Sequence, residues 1–235
     1  MAEKRLMNWF EHTEIGRYAA EKEKLFFQNS TKHLHVNRVV QTGMHQWSLS
    51  AGQVQIRVGL DVHMDLDAPA WAAHSLDLLL MPHALECSAQ PQRVLAEAYR
   101  ALKPEGRLVL TGFNPYSLWR FSRWFDGRGL PDKKQCVPLP LLKKQVKALG
   151  FCVEAGQFMV YVPAVNSREA LRRWRFMESA GDRWWPHAAA VYGLVLLKRQ
   201  ADVKLLPEFE SEAEKEGSMV LGVAKAGIEC KESAE

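Results

Sequence analysis

The stretch Leu95–Pro115, LAEAYRALKPEGRLVLTGFNP, decides how the chain is read. With Val94 just before it, Leu95, Ala98 and Leu102 recur at helical spacing on one face, while Glu97, Arg100 and Lys103 fall on the opposite, wet face. Pro104 stops the helix, and Gly106 is expected to supply the positive φ of a turn. Arg107–Thr111 is then a short aliphatic run, the pattern of a strand covered on both faces in the middle of a parallel sheet. Gly112 to Pro115 forms a loop at the carboxyl end of that strand, where ligands bind in open α/β sheets.

Moving outward, the composition suits one domain with a proper core: 235 residues, 47% hydrophobic and 25% charged. No apolar run reaches the ~18 residues of a membrane span, and MAEKRLMNWFEH has no long apolar segment of a secretory signal. Cys87, Cys136, Cys152 and Cys230 are far apart without a CxxC pair, which reads as free thiols in a reducing cytoplasm. Residues 203–235 hold four Lys and eight Glu, which leaves 27 basic and 19 acidic residues in 1–202. The body is therefore basic, with a weak pull toward RNA or lipid headgroups. The acidic tail is expected to be disordered, apart from a short helix around Glu210 to Glu216.

In chain order, residues 1–35 form a helical segment. After a lead-in, a helix within Trp9 to Asn29 begins at the N-cap Thr13 and packs on the sheet or lids a pocket. The domain proper is 36–202. Its strands are Val36 to Gly43, Val54 to Leu60, Leu76 to Met81, Arg107 to Thr111, Phe151 to Tyr161 with a kink at Gly156, and Ala188 to Lys198. A short turn or helix fits at Trp47 to Ala51, and helices fit at Gln90 to Leu102, Leu139 to Leu149 and Ser167 to Ala180. An aromatic, Arg-rich helix follows Asn114-Pro115-Tyr116, and Gly127 to Pro140 is long enough to be a mobile cover. Trp/Arg-rich residues in 116–125 and 167–185 suit packing, RNA or a membrane surface. There is no P-loop or HxxEH helix, and His33 and His35 lack a third ligand, so no metal is expected.

Glu97-x-x-Arg100-x-Leu102-Lys103-Pro104-x-Gly106 resembles the E-x-x-R-x-L-K-P-G-G segment of class I S-adenosylmethionine-dependent methyltransferases, with Glu105 in place of the first paired glycine. Asp65-Leu66-Asp67-Ala68-Pro69-Ala70-Trp71, followed by Ser75-Leu76-Asp77, resembles that family's D-x-x-x-L-P-F…S-F-D block. The resemblance implies a Rossmann-like sheet, mostly parallel with an antiparallel C-terminal strand and helices on both faces. It also implies S-adenosylmethionine as cofactor and an unidentified methyl acceptor. Gly43 then stands where the family has its glycine-rich loop, although Met44, His45 and Trp47 follow it. Only 21 residues separate Gly43 from Asp65, so one edge strand and its helix are expected to be missing. By the same analogy Asp61 faces the ribose, Asp65 and Leu66 face the adenine, and His83 touches cofactor or takes a proton. The alternative reading makes the three Asp residues solvated loop acids and His83 a loop-bonded histidine. Asn114, Pro115 and Trp119 are the substrate-side candidates. Three functional classes compete: an active methyltransferase, a module that kept the fold and binds without catalysis, or a basic peripheral factor that contacts RNA or a membrane through the Trp/Arg-rich residues in 116–125 and 167–185.

Overall fold

The computed structural model describes residues 2–49, 55–121 and 133–199. These form α1 (Ala2–His12), α2 (Glu14–Thr31), β1 (Val39–Thr42), β2 (Gln55–Val58), β3 (Leu76–Pro82), α3 (Ala84–Cys87), α4 (Pro91–Ala101) and β4 (Leu102–Phe113). Then come α5 (Leu118–Phe121), α6 (Leu139–Ala148), β5 (Phe151–Met159), α7 (Arg168–Trp174), α8 (Phe176–Trp184), a 3-10 turn at Pro186–Ala188 and β6 (Val191–Lys198). The tail, the covering loop from Gly127 to Asp132 and the end of the Trp/Arg-rich helix lie outside the described residues.

The strand order is β2-β1-β3-β4-β6-β5. The first four strands pair in parallel, and β6 runs antiparallel between β4 and β5. Among the described residues one strand beyond β2 is missing from the full family sheet, because the link from β1 to β3 holds a single strand. The strand order reverses between β1 and β3, which makes their carboxyl tips the place for a ligand.

β3 shows why the sheet is central. Leu78 and Leu80 turn to the face covered by α1 and α2, where they meet Leu6, Phe10, Ala19 and Phe27. Leu79 and Met81 turn to the other face and meet Leu95 and Ala98 of α4 and Leu142 of α6. An apolar run alternating between two helix layers is buried on both sides, as a parallel strand requires.

Several local expectations change. The N-terminal lead-in is itself a helix, α1, which buries Leu6, Trp9 and Phe10. Thr13 breaks it and caps α2: its Oγ1 accepts the Gly16 N–H at 3.0 Å and donates to the Trp9 carbonyl at 2.8 Å. The positive φ after Pro104 belongs to Glu105, at 62°. Gly106 is needed for close approach instead, since a Cβ there would sit 2.8 Å from the Lys103 carbonyl oxygen. Residues 103–106 bulge out of β4, so Leu102 pairs with Leu76 and Arg107 with Leu78. In β5 the irregularity lies between Val153 and Ala155 rather than at Gly156. Trp47 closes a turn on the Met44 carbonyl at 2.8 Å, and the end of the segment expected to be a short turn or helix, Ser50 and Ala51, lies outside the described residues. The basic helix predicted from Ser167 is two helices, α7 and α8.

Candidate active site

The carboxyl tips of β1, β3 and β4 meet around His83. Gly43 ends β1 with φ 89°, and a Cβ on it would stand 2.5 Å from the Pro82 carbonyl oxygen at the end of β3. The two tips therefore touch where the family's glycine loop would lie. Met44 follows with φ 42° and is fully buried, its carbonyl accepting a 2.8 Å bond from the buried Gln41 side chain.

His83 sits at the end of β3 in the left-handed region, φ 51°, with no exposed surface. Its ring lies between Phe113, 4.3 Å away between centroids, and Phe10 of α1, at 5.2 Å. Phe10 in turn meets Trp47 edge-on at 4.8 Å. Nε2 of His83 lies 2.9 Å from Oε2 of Glu23, which descends from α2 and is also wholly buried. The Thr111 hydroxyl donates to the same carboxylate at 2.6 Å. On the other side, Oε1 of Glu86 accepts the Phe113 N–H at 2.6 Å and stands 3.6 Å from His83 Nδ1. His83 Nδ1 and Glu86 Oε2 make no hydrogen bond among the described residues.

Burial alone would drive His83 neutral. The Glu23 carboxylate, assisted by Glu86, outweighs it and raises the imidazole to about 10. At neutral pH His83 is thus a cation gripped by buried acids. That state cannot accept a proton, so a basic role requires Glu23 to let go first.

A second feature lies one strand over. Thr42, Val58, Asp65, Leu66, Pro69 and Trp71 border a shallow, mostly apolar hollow floored by Leu79, Val94 and Ala98. Its cavity volume is about 20 Å³, far below the ~300–1,000 Å³ usual for small-molecule sites. A purine therefore requires the half-buried Trp71 and Met64 to turn aside. The Thr42 hydroxyl is buried and has no hydrogen-bond partner among the described residues. Asp65 is exposed and uses one oxygen to accept the Asp67 N–H at 3.0 Å. An unpartnered hydroxyl and a carboxylate border the same apolar cleft, whereas the tips of β1 and β3 touch at Gly43.

The site residues expected from sequence therefore divide. Asp65 and Leu66 share the hollow, whereas Gly43 and His83 belong to the sealed tips. Asp61 closes the turn after β2: its Oδ2 accepts the Arg57 N–H at 2.8 Å. Asn114 spends its side chain on the carbonyls of His187 and Ala189 and on the Tyr116 N–H. Pro115 is buried beside it. Trp119 is 4% exposed, donates to the Val162 carbonyl and packs edge-on to Trp9. Those three make packing contacts rather than an open wall. Sequence reasoning missed Phe10, Glu23, Thr111 and Thr42, and it placed Glu86 with Cys87 on the His83 loop only as a weaker candidate. One signal was available: Glu23 falls with Ala19, Ala20, Phe26 and Phe27 on the apolar stripe of α2, where an acid needs a buried partner.

Residues 29–110 match the family model described as "Methyltransferase domain". A stretch of 73 residues is 40% identical to the uncharacterized protein YafS of Escherichia coli (strain K12) and spans 31% of this chain and 29% of that protein. Among solved structures, phosphoethanolamine N-methyltransferase 2 of Haemonchus contortus superposes with a TM-score of 0.53 at 15% identity, over 83% of this chain and 59% of its own. A Thermotoga maritima S-adenosylmethionine-dependent methyltransferase, described as a possible histamine N-methyltransferase, gives 0.51 at 15% identity, over 83% and 99%. The 4+2 cyclase SpnF gives 0.51 at 14% identity, over 78% and 82%. Residues 29–110 thus match a methyltransferase domain, and the sheet order is that of a Rossmann-like methyltransferase fold.

Proposed function

We propose that the protein is an S-adenosylmethionine-dependent methyltransferase that receives the adenosine end of its cofactor in the hollow beside Asp65. The observation that carries this reading is the buried, unpartnered Thr42 hydroxyl lining the same hollow as that acid, at the reversal of strand order. When bound, S-adenosylmethionine supplies a sulfonium methyl group to a nucleophilic N, O or C atom of an acceptor.

The chain's own part is alignment and exclusion of water. Asp65 accepts from an exocyclic amino group, Thr42 offers its hydroxyl, and Leu66 and Trp71 cover the ring. At the sealed half, α1 has to withdraw for an acceptor to approach, since Phe10 covers His83. Re-closure of the same helix keeps solvent out during transfer. While gripped by Glu23, His83 stabilises negative charge on a neighbour rather than removing a proton. Burial pushes the Cys87 thiol up to about 12, which keeps it protonated and a poor nucleophile at neutral pH.

Isothermal titration of the full chain with S-adenosylmethionine and S-adenosylhomocysteine tests the reading. Saturable heat that weakens about tenfold in Asp65→Asn is expected. Absence of heat with both ligands would sink it. A second reading, a non-catalytic binding module, is favoured by one observation, the filled space between Phe10, Trp47 and Phe113. It predicts that cofactor heat is absent even when Phe10 is cut back to Ala.

A further inference from the structure

The other unused feature of the molecule lies on α7 and α8. Phe176, Trp184 and Trp185 are 61%, 69% and 59% exposed, and Trp174 is 39% exposed. A core normally claims such rings, and four within twelve residues is a concentration rather than scatter. The inward side of this helix pair is already taken. Leu171 packs on the core, and a Cβ on Gly181 would stand 2.3 Å from the Tyr161 ring. Glu178 Oε1 accepts the N–H groups of Tyr161 and Val162 at 3.1 and 3.3 Å.

The charges around these rings are one-sided. Arg172, Arg173, Arg175 and Arg183 are exposed, and among the described residues none forms an ion pair. Arg168 alone in this region is matched, by Glu14 at 3.0 Å. Of the nearby acids, Glu178 is turned to the backbone of Tyr161, Asp182 interacts with the Tyr161 side chain, and Glu169 alone is exposed on α7 against four exposed arginines. The outward charge is thus positive and sits among apolar rings.

We propose that the α7–α8 face docks on an anionic lipid bilayer, with the indole and phenyl rings entering the headgroup region and the four arginines meeting lipid phosphates. The pattern of Trp and Phe flanked by Arg is that of a helix lying in a bilayer interface. Trp174 and Phe176 stack on each other, 5.9 Å apart and 29° between planes. That arrangement covers ring faces a nucleobase would need but widens an apolar plate for insertion. Helices of seven and nine residues are too short to hold by apolar burial alone, so the arginines must contribute. No helix among the described residues is long and apolar enough to cross a membrane, so the contact is peripheral. The inference does not depend on methyl transfer.

Co-sedimentation of the full chain with vesicles tests it, using phosphatidylcholine alone and phosphatidylcholine mixed with phosphatidylglycerol. Binding is expected only to the mixed vesicles, weakening as salt rises. Trp184→Ser with Trp185→Ser, and separately Arg172→Gln with Arg173→Gln, should each weaken it about tenfold or more with an unchanged melting temperature. Failure to pellet with the anionic vesicles overturns the proposal, as does pelleting that ignores both double variants. A gel shift of single-stranded RNA abolished by those variants, without lipid binding, would overturn it in favour of nucleic acid.

Discussion

Two halves of the same sheet edge have opposite fates. At the tips of β1, β3 and β4 the chain fills its own cleft, with Phe10, Trp47 and Met44 above and the Glu23–His83–Glu86 cluster below. One strand toward the edge, between Thr42, Asp65 and Trp71, a hollow stays open. The sealed half is closed largely by α1 and α2, elements that precede the first strand. The open half is built from the segment that resembles methyltransferases. A shared strand order therefore does not decide whether a cleft exists; the elements laid across it do.

That contrast can be broken experimentally, most forcefully at Glu23. Glu23→Gln leaves a buried imidazolium without its main partner and should cost ~3–5 kcal/mol of stability. Urea unfolding measures this, and a loss within the noise would mean that the sealed half is not held by charge.

Phe10→Ala removes the ring that covers His83 and should destabilise by roughly 3 kcal/mol, as buried Phe truncations do. The informative readout is titration with S-adenosylmethionine. Tighter binding than wild type would identify α1 as a cover over a working site, and unchanged absence of binding would leave the plug as permanent core.

The third effect is one of pH. His83 titrates higher in the folded chain, near 10, than its ordinary 6.5. Its contribution is fully present below pH 6.5 and is lost as pH rises through the folded value. Unfolding free energy should therefore fall between these limits by up to ~1.4 kcal/mol per pH unit. His83→Gln should remove this slope, and a wild-type curve already flat there would contradict the clamped cation.

The open half should respond least in stability. Asp65→Asn lies at an exposed position and should change unfolding by no more than ~0.5 kcal/mol. Its effect belongs to ligand affinity alone, about tenfold. Equal losses of stability and affinity would show that Asp65 supports its loop rather than a ligand.

Much of the fold was legible because it is local. The helix through Leu95 and Ala98, the strand through Leu108 and Leu110 and the cap at Thr13 rest on spacing and turn chemistry within a few residues. The missing edge strand followed from counting residues between Gly43 and Asp65. The candidate site was legible only in part. Asp65 and Leu66 are neighbours in sequence and stayed together in space. His83 was visible as a strand-end histidine, but its partners lie 60 residues upstream and three residues downstream, on separate helices. Asn114 and Trp119 looked exposed to ligand because a loop at a strand end usually is. Their contacts with residues 162–189 could not be read from their own neighbourhood.

Periodicity, glycine and proline placement and segment length were enough to determine the main helices and a central strand covered on both faces, since those signals act over one turn of helix or one strand; the mostly parallel sheet came from the resemblance to methyltransferases. Only tertiary packing decided that α1 would lie across the strand tips, that an acid from α2 would hold His83 charged, and that the cleft would survive on one side alone. Burial and electrostatic pairing join groups far apart in sequence, and no short window contains both partners.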